Sequence, residues 1–281
     1  MTEERMDALV STEWLEEHLG KEGLVVADCS WHMPARGRSG RAEFLAAHIP
    51  GARFFDIDEV ADHSSAAPHM LPTAEHFARA MEATGIGSDE RIVVYDNSPL
   101  RSAVRGWFML RHFGAREVAV LDGGFGKWLA EGRPAGSGEA PQRAVRFQPH
   151  LREDVVNKDQ MLSGIGRPIL DARGTARFDG SEADPRPGVA PGHIPGSLNL
   201  PFAALYNDDG TLRSSEEIRR LYESAGASIE RPFVATCGSG ITANSLIFAA
   251  HLAGNDSAFL YDGSWSEWGA DPATPKAVGP A

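Results

Sequence analysis

Cys237 is preceded by the apolar run Phe233-Val234-Ala235-Thr236 and followed by Gly238-Ser239-Gly240-Ile241-Thr242-Ala243. An apolar run, a thiol, two glycines and a second apolar stretch read as a strand, a tight loop and a helix. In such a loop the backbone N–H groups of Gly238 to Thr242 turn inward. Together with the helix N-terminus they favour an anion at the position of the thiol. The chemistry this predicts is nucleophilic: a thiolate held by amide dipoles attacks an electrophile and carries a covalent adduct. A buried core cysteine is the plain alternative, but glycines at 238 and 240 serve close backbone approach rather than core packing. The pattern therefore puts Cys237 at the mouth of its loop.

The elements that must position this loop occur twice. Val10-Ser11-Thr12-Glu13-Trp14-Leu15 answers to Val156-Asn157-Lys158-Asp159-Gln160-Met161, each a helix start behind a polar cap. Leu24–Asp28 answers to Pro168–Arg173, and Ala47-His48-Ile49-Pro50-Gly51 to Gly192-His193-Ile194-Pro195-Gly196. Ile92–Asp96 answers to Phe233–Cys237, and Leu121–Trp128 to Tyr261–Trp268. The matches keep their order at an offset of about 140–146 residues, which is a domain-sized period and hence a duplication. Short Val/Ile/Leu runs such as Arg91–Tyr95 alternate with amphipathic stretches such as Ser102–His112. This predicts an α/β fold, two tandem domains each with a parallel-stranded sheet flanked by helices. Residues 1–138 are expected to form the first domain, 139–150 a linker and 151–281 the second, because Gly132–Pro141 is rich in loop formers. Capping boxes are expected at Asn157/Gln160 and Ser214/Glu217, and helix stops at Gly114, Gly226 and Gly254.

The halves differ in chemistry. Where the second has Cys237, the first has Asp96, followed by Asn97-Ser98-Pro99, and Pro99 removes one N–H from the loop. The first half reads as a scaffold without the reaction. Cys29, after the run Leu24–Asp28, is expected to fill core. His48 and His193 recur at the same repeat position and are expected to be structural, as are Arg173, paired with Asp171, and the packing tryptophans Trp265 and Trp268.

Bulk properties narrow the function. A net charge of −12 argues against a nucleic-acid partner or an anionic membrane surface. Any anionic substrate must then meet a local cluster of positive charge. Two cysteines in 281 residues make no disulfide framework. No apolar run approaches the ~18 residues of a membrane span, and the acidic start Met1–Asp7 lacks the apolar core of a secretory signal. A cytoplasmic protein is expected. Zinc-ligand spacing and phosphate- or dinucleotide-loop patterns are absent, so neither a metal nor a cofactor is expected.

The segment Cys237–Ala243 resembles the active loop of the two-domain rhodanese sulfurtransferases, and within them the branch acting on 3-mercaptopyruvate. The stretch His48-Ile49-Pro50-Gly51 leading to Phe54-Phe55-Asp56-Ile57-Asp58 resembles the family's N-terminal signature, and Tyr261–Trp268 its C-terminal one. The resemblance covers nearly the whole chain. It implies two rhodanese folds with catalysis only in the second, and a persulfide on Cys237 formed from a small-molecule sulfur donor. The acceptor it implies is a small thiol, a thioredoxin-like dithiol or cyanide. It further implies that Arg177 and Arg186 grip the carboxylate and ketone of the donor, and that Asp58, His69 and Ser239 form a proton relay. Amides of Gly238, Gly240, Ile241 and Thr242 would cradle the outer sulfur of the persulfide.

Thiosulfate-preferring relatives carry basic side chains directly after the cysteine, whereas Gly238 and Ser239 are neutral. This favours 3-mercaptopyruvate as donor, with pyruvate released. The alternatives are a thiosulfate:cyanide sulfurtransferase and a persulfide carrier with little turnover of its own. Cysteine phosphatases that resemble rhodaneses close their loop with an arginine six positions on, where this chain has Ala243.

Overall fold

The computed structural model describes residues 6–281; residues 1–5, most of the acidic start considered above, lie outside the described residues. Two compact units form. The first comprises the chain up to Val60, Pro72–Glu153 and Asp208–Leu212; the second comprises Ala61–Leu71, Asp154–Asn207 and Arg213–Ala281.

The first unit contains β1 (Leu9–Val10), β2 (Leu24–Asp28), β3 (Arg53–Phe54), β4 (Arg91–Tyr95) and β5 (Glu117–Leu121). They form one parallel sheet in the order β1-β5-β4-β2-β3, with Val26 beside Val93 at its centre. The second unit repeats the plan with β6 (Val155–Val156), β7 (Ile169–Asp171), β8 (Leu198–Asn199), β9 (Phe233–Thr236) and β10 (Ala258–Tyr261). Its order is β6-β10-β9-β7-β8, again all parallel. Two parallel-stranded sheets flanked by helices are what the alternating pattern predicts.

A parallel sheet covered on both faces needs central strands that are apolar throughout. Ile92, Val93, Val94 and Tyr95 of β4 are wholly buried, and so are the residues of β9. The helices following these central strands, Ala103–His112 and Ala243–Leu252, are correspondingly buried on nearly all sides. The outer helix Ser215–Ser224 is amphipathic instead and starts at the Ser214/Glu217 capping box; Asn157/Gln160 caps Lys158–Leu162 in the same way. Gly114, Gly226 and Gly254 follow the three helix ends with positive φ. Among the described residues no helix is long and apolar enough to cross a membrane.

The duplicated histidines do matching structural work. His48 stacks on Phe44 and bonds its carbonyl through Nδ1 at 2.8 Å; His193 stacks on Phe178 and bonds that carbonyl at 2.9 Å. Trp128 Nε1 donates to Pro134 O and Trp268 Nε1 to Pro275 O, both at 2.7 Å.

Two segments belong to the unit built mainly from the other half of the sequence, and equivalent aspartates hold them. In the second unit Asp262, just after β10, accepts the Leu71 N–H at 2.6 Å. In the first unit Asp122, just after β5, accepts the Leu212 N–H at 2.9 Å.

Candidate active site

Cys237 follows β9, the middle strand of the second sheet, at the carboxyl end where open α/β sheets bind ligands. The turn after β10 clasps its backbone. The Cys237 N–H donates to Ser264 Oγ at 3.2 Å, Trp265 N–H donates to Cys237 O at 3.0 Å, and Ser266 N–H to Gly238 O at 2.8 Å. The thiol residue is only 1% exposed. This corrects the expectation of a thiol at the loop mouth: Cys237 lies at the loop's floor, because the loop and the β10 turn close around it.

Among the described residues none accepts a hydrogen bond from the backbone N–H of Gly238, Ser239, Ile241 or Thr242. Buried amides are nearly always paired, so these four, three of them on buried residues, form a donor set suited to an anion. The loop is held in this shape by two features. Gly240 adopts φ 76, a conformation open to glycine. Asn244, fully buried, donates from Nδ2 to Gly240 O at 2.7 Å and to Ile241 O at 3.0 Å, engaging the carbonyls and leaving the N–H groups. Asn244 escaped the sequence reading, because a polar residue at a helix start does not by itself show which carbonyls it will hold.

Arg177 lies on the short helix Thr175–Phe178, and Arg186 on the loop that follows. A Cβ placed on Gly238 would stand 3.3 Å from Arg177 Nη2 and 3.3 Å from Arg186 Nη1. Both guanidinium groups thus lie against the residue next to Cys237, where a larger side chain would have to displace them. Their side chains keep 21% and 27% exposure. Asp184, buried between them, accepts from Arg177 Nη2 at 2.6 Å and from Arg186 Nη1 at 3.2 Å. Arg173 plays a different part: it makes a buried ion pair with Asp171 at 2.7 Å, bonds Gly192 O and lies over the Trp265 ring.

His69, on the 61–71 segment of the second unit, has Nδ1 3.0 Å from Ser239 Oγ; both residues are buried. Its φ of 62 is uncommon for a residue with a Cβ and costs about 1–3 kcal/mol. The cost is met by anchors on either side, Asp62 N–H to Met70 O at 2.8 Å and Leu71 N–H to Asp262. Asp58 belongs to the first unit, in the helix Ile57–Val60, where both its oxygens accept from Trp31 Nε1 at 2.9 Å.

The profile of the rhodanese-like domain matches residues 11–131 and again 155–271. The chain belongs to the rhodanese family. The 3-mercaptopyruvate sulfurtransferase of Rattus norvegicus is 42% identical over 271 residues, covering 93% of this chain and 91% of that protein. The thiosulfate sulfurtransferase of Gallus gallus is 40% identical over 271 residues, 93% of each. Among solved structures, SseA from Escherichia coli, described as a 3-mercaptopyruvate sulfotransferase, aligns with a TM-score of 0.84 at 35% identity. That alignment covers 93% of this chain and all of SseA.

The first rhodanese unit has a loop one residue longer in this place, with amides already engaged by its own side chains. Asp96, the counterpart of Cys237, accepts Ser98 N–H through Oδ1 at 2.8 Å and Ala103 N–H through Oδ2 at 2.7 Å. The carboxylate takes the first N–H of the following helix, although burial pushes its pKa up. Cys29 in the same rhodanese unit is fully buried, and burial drives its thiol well above its usual range. It is a core residue in the protonated form.

Proposed function

We propose that this chain is a 3-mercaptopyruvate sulfurtransferase whose catalytic half is the second, with the first as a non-catalytic partner. The observation that carries this reading is the pair of guanidinium groups 3.3 Å from the Cβ position of Gly238, beside a loop of uncharged residues. Paired arginines suit the carboxylate and ketone of a 2-oxo acid. The rat relative bears the name of this activity at 42% identity.

In the reaction, the Cys237 thiolate attacks the sulfur of 3-mercaptopyruvate, held by Arg177 and Arg186. The S–S bond forms as the C3–S bond breaks, and its electron pair leaves on pyruvate as the enolate. That enolate takes a proton to give pyruvate, supplied through the Ser239 hydroxyl and His69, with Asp58 as the relay's third member. The loop amides hold the charge on the outer sulfur of the persulfide. An acceptor thiolate then attacks that sulfur, regenerates the Cys237 thiolate and departs as a persulfide; cyanide departs as thiocyanate. A thioredoxin-like dithiol fits this second step because its second thiol releases the sulfur as sulfide while the pair closes to a disulfide.

A second reading, thiosulfate:cyanide sulfurtransferase, draws on the Gallus gallus relative at 40% identity. Side-by-side assays decide: pyruvate release from 3-mercaptopyruvate against thiocyanate formation from thiosulfate, with mass spectrometry of the Cys237 peptide. Preferred use of 3-mercaptopyruvate and one added sulfur on that peptide are expected. No pyruvate release would remove the proposal, and a single burst of pyruvate without turnover would point to a carrier.

A further inference from the structure

We infer that Asp184 determines which sulfur donor this site accepts, by fixing both the geometry and the net charge of the arginine pair. This rests on the mercaptopyruvate reading above. The Asp184 side chain is 1% exposed, and its two oxygens face different arginines. Oδ2 accepts from Arg177 Nη2 at 2.6 Å, while Oδ1 accepts from the Arg186 backbone N–H at 3.0 Å and from Arg186 Nη1 at 3.2 Å. One carboxylate therefore aligns both guanidinium groups over Gly238. Because it engages a single terminal nitrogen on each, the remaining N–H groups stay available to a ligand.

The charge count follows. Two guanidinium groups and one carboxylate sum to a single positive charge, which balances the Cys237 thiolate of the proposed reaction, and the neighbouring Arg173–Asp171 pair adds none. Gly238 and Ser239 contribute no charge. A 2-oxo acid bearing one carboxylate then adds one negative charge. A dianionic donor of the thiosulfate kind adds two, beside arginines that are only partly exposed, and is the less favoured of the pair. The selectivity thus comes from a buried acid that touches no substrate, and Asp184 acts as a positioning residue through Arg177 and Arg186.

The test is a comparison of Asp184→Asn, Asp184→Glu and wild-type protein with both donors. Asp184→Asn removes the charge and presents an amide N–H to Arg177. Its kcat/KM for 3-mercaptopyruvate is expected to fall about tenfold or more, chiefly through KM, while that for thiosulfate changes by less than about twofold or rises. Asp184→Glu keeps the charge, and its donor ratio is expected to remain within about threefold of wild type. Parallel losses for both donors in Asp184→Asn, no change for either, or an equal shift of the ratio in Asp184→Glu would overturn the inference. Should Asp184→Asn lose its cooperative thermal transition, Asp184→Ser carries the same expectation; failure of both to fold would make Asp184 a folding residue and end the proposal. If wild-type protein forms thiocyanate from thiosulfate but releases no pyruvate from 3-mercaptopyruvate, the donor reading itself fails, before any variant is compared.

Discussion

The imidazole Nδ1 of His69 lies 3.0 Å from the hydroxyl of Ser239, joining side chains 170 residues apart in the chain. Ser239 is two residues from Cys237, the proposed nucleophile, and its hydroxyl can either donate to the imidazole or accept from it. In the proposed reaction this contact manages the proton on the pyruvate enolate. His69→Gln should lower kcat for pyruvate release by roughly 10²–10⁴-fold and flatten its pH profile, with the fold retained by circular dichroism. A variant with wild-type kcat would remove His69 from the proton path.

The segment bearing His69 is held at its end by the Leu71 N–H donating to Asp262. Asp262→Ala removes that acceptor and frees His69 to leave its left-handed conformation. Since small misplacements of catalytic groups cost up to about 10²-fold, kcat should fall by roughly ten- to a hundredfold with KM little changed. Proteolysis between residues 61 and 71 should quicken in the same variant. Unaltered kcat and proteolysis would show that other contacts suffice.

The two cysteines should separate cleanly. Cys237→Ser should abolish transfer and gain no sulfur by mass spectrometry. Cys29→Ala should keep activity while losing about 1–2 kcal/mol of stability, since burial holds that thiol protonated. A persulfide found on Cys29 of native protein would contradict this assignment.

Arg186→Ala should raise KM for 3-mercaptopyruvate about ten- to a hundredfold, the loss of one charge-assisted pair of about 1.5–3 kcal/mol. Its effect on thiosulfate should be much smaller. Equal increases for both donors, measured by steady-state kinetics, would take Arg186 out of carboxylate recognition.

Asp28 gives a stability signature with an unusual sign. Burial raises its pKa from 3.8 to about 6, so the folded protein holds a proton that the unfolded chain has lost between those values. Its contribution to stability is therefore fully present below pH 4, is lost as pH rises through about 6 and is level above that. Asp28→Asn keeps an acceptor for the Ser30 N–H, which now lies 2.8 Å from Oδ1, and abolishes the proton uptake. Relative to wild type it should gain on the order of 3 kcal/mol between pH 4 and pH 7, read from urea denaturation at each pH. A difference that does not vary with pH would refute the shift.

Much of this architecture is legible in the residues because the physics involved is local. Strand and helix periodicity, the capping boxes at Asn157 and Ser214, and the repeated His-Ile-Pro-Gly segments act over a few neighbours. The same holds for the glycine-flanked Cys237 loop and for its silent counterpart at Asp96. Depth was not legible: Cys237 is 1% exposed because the turn after β10, more than twenty residues on, closes over its backbone. Nor did any local pattern mark Asn244 as the side chain that holds the loop carbonyls, or Asp184 as the acid shared by two arginines. Buried polar groups such as these are placed by partners that only the folded chain brings within hydrogen-bonding distance. Composition and spacing therefore determined the fold and singled out Cys237, and tertiary packing alone decided which charged and polar groups surround it.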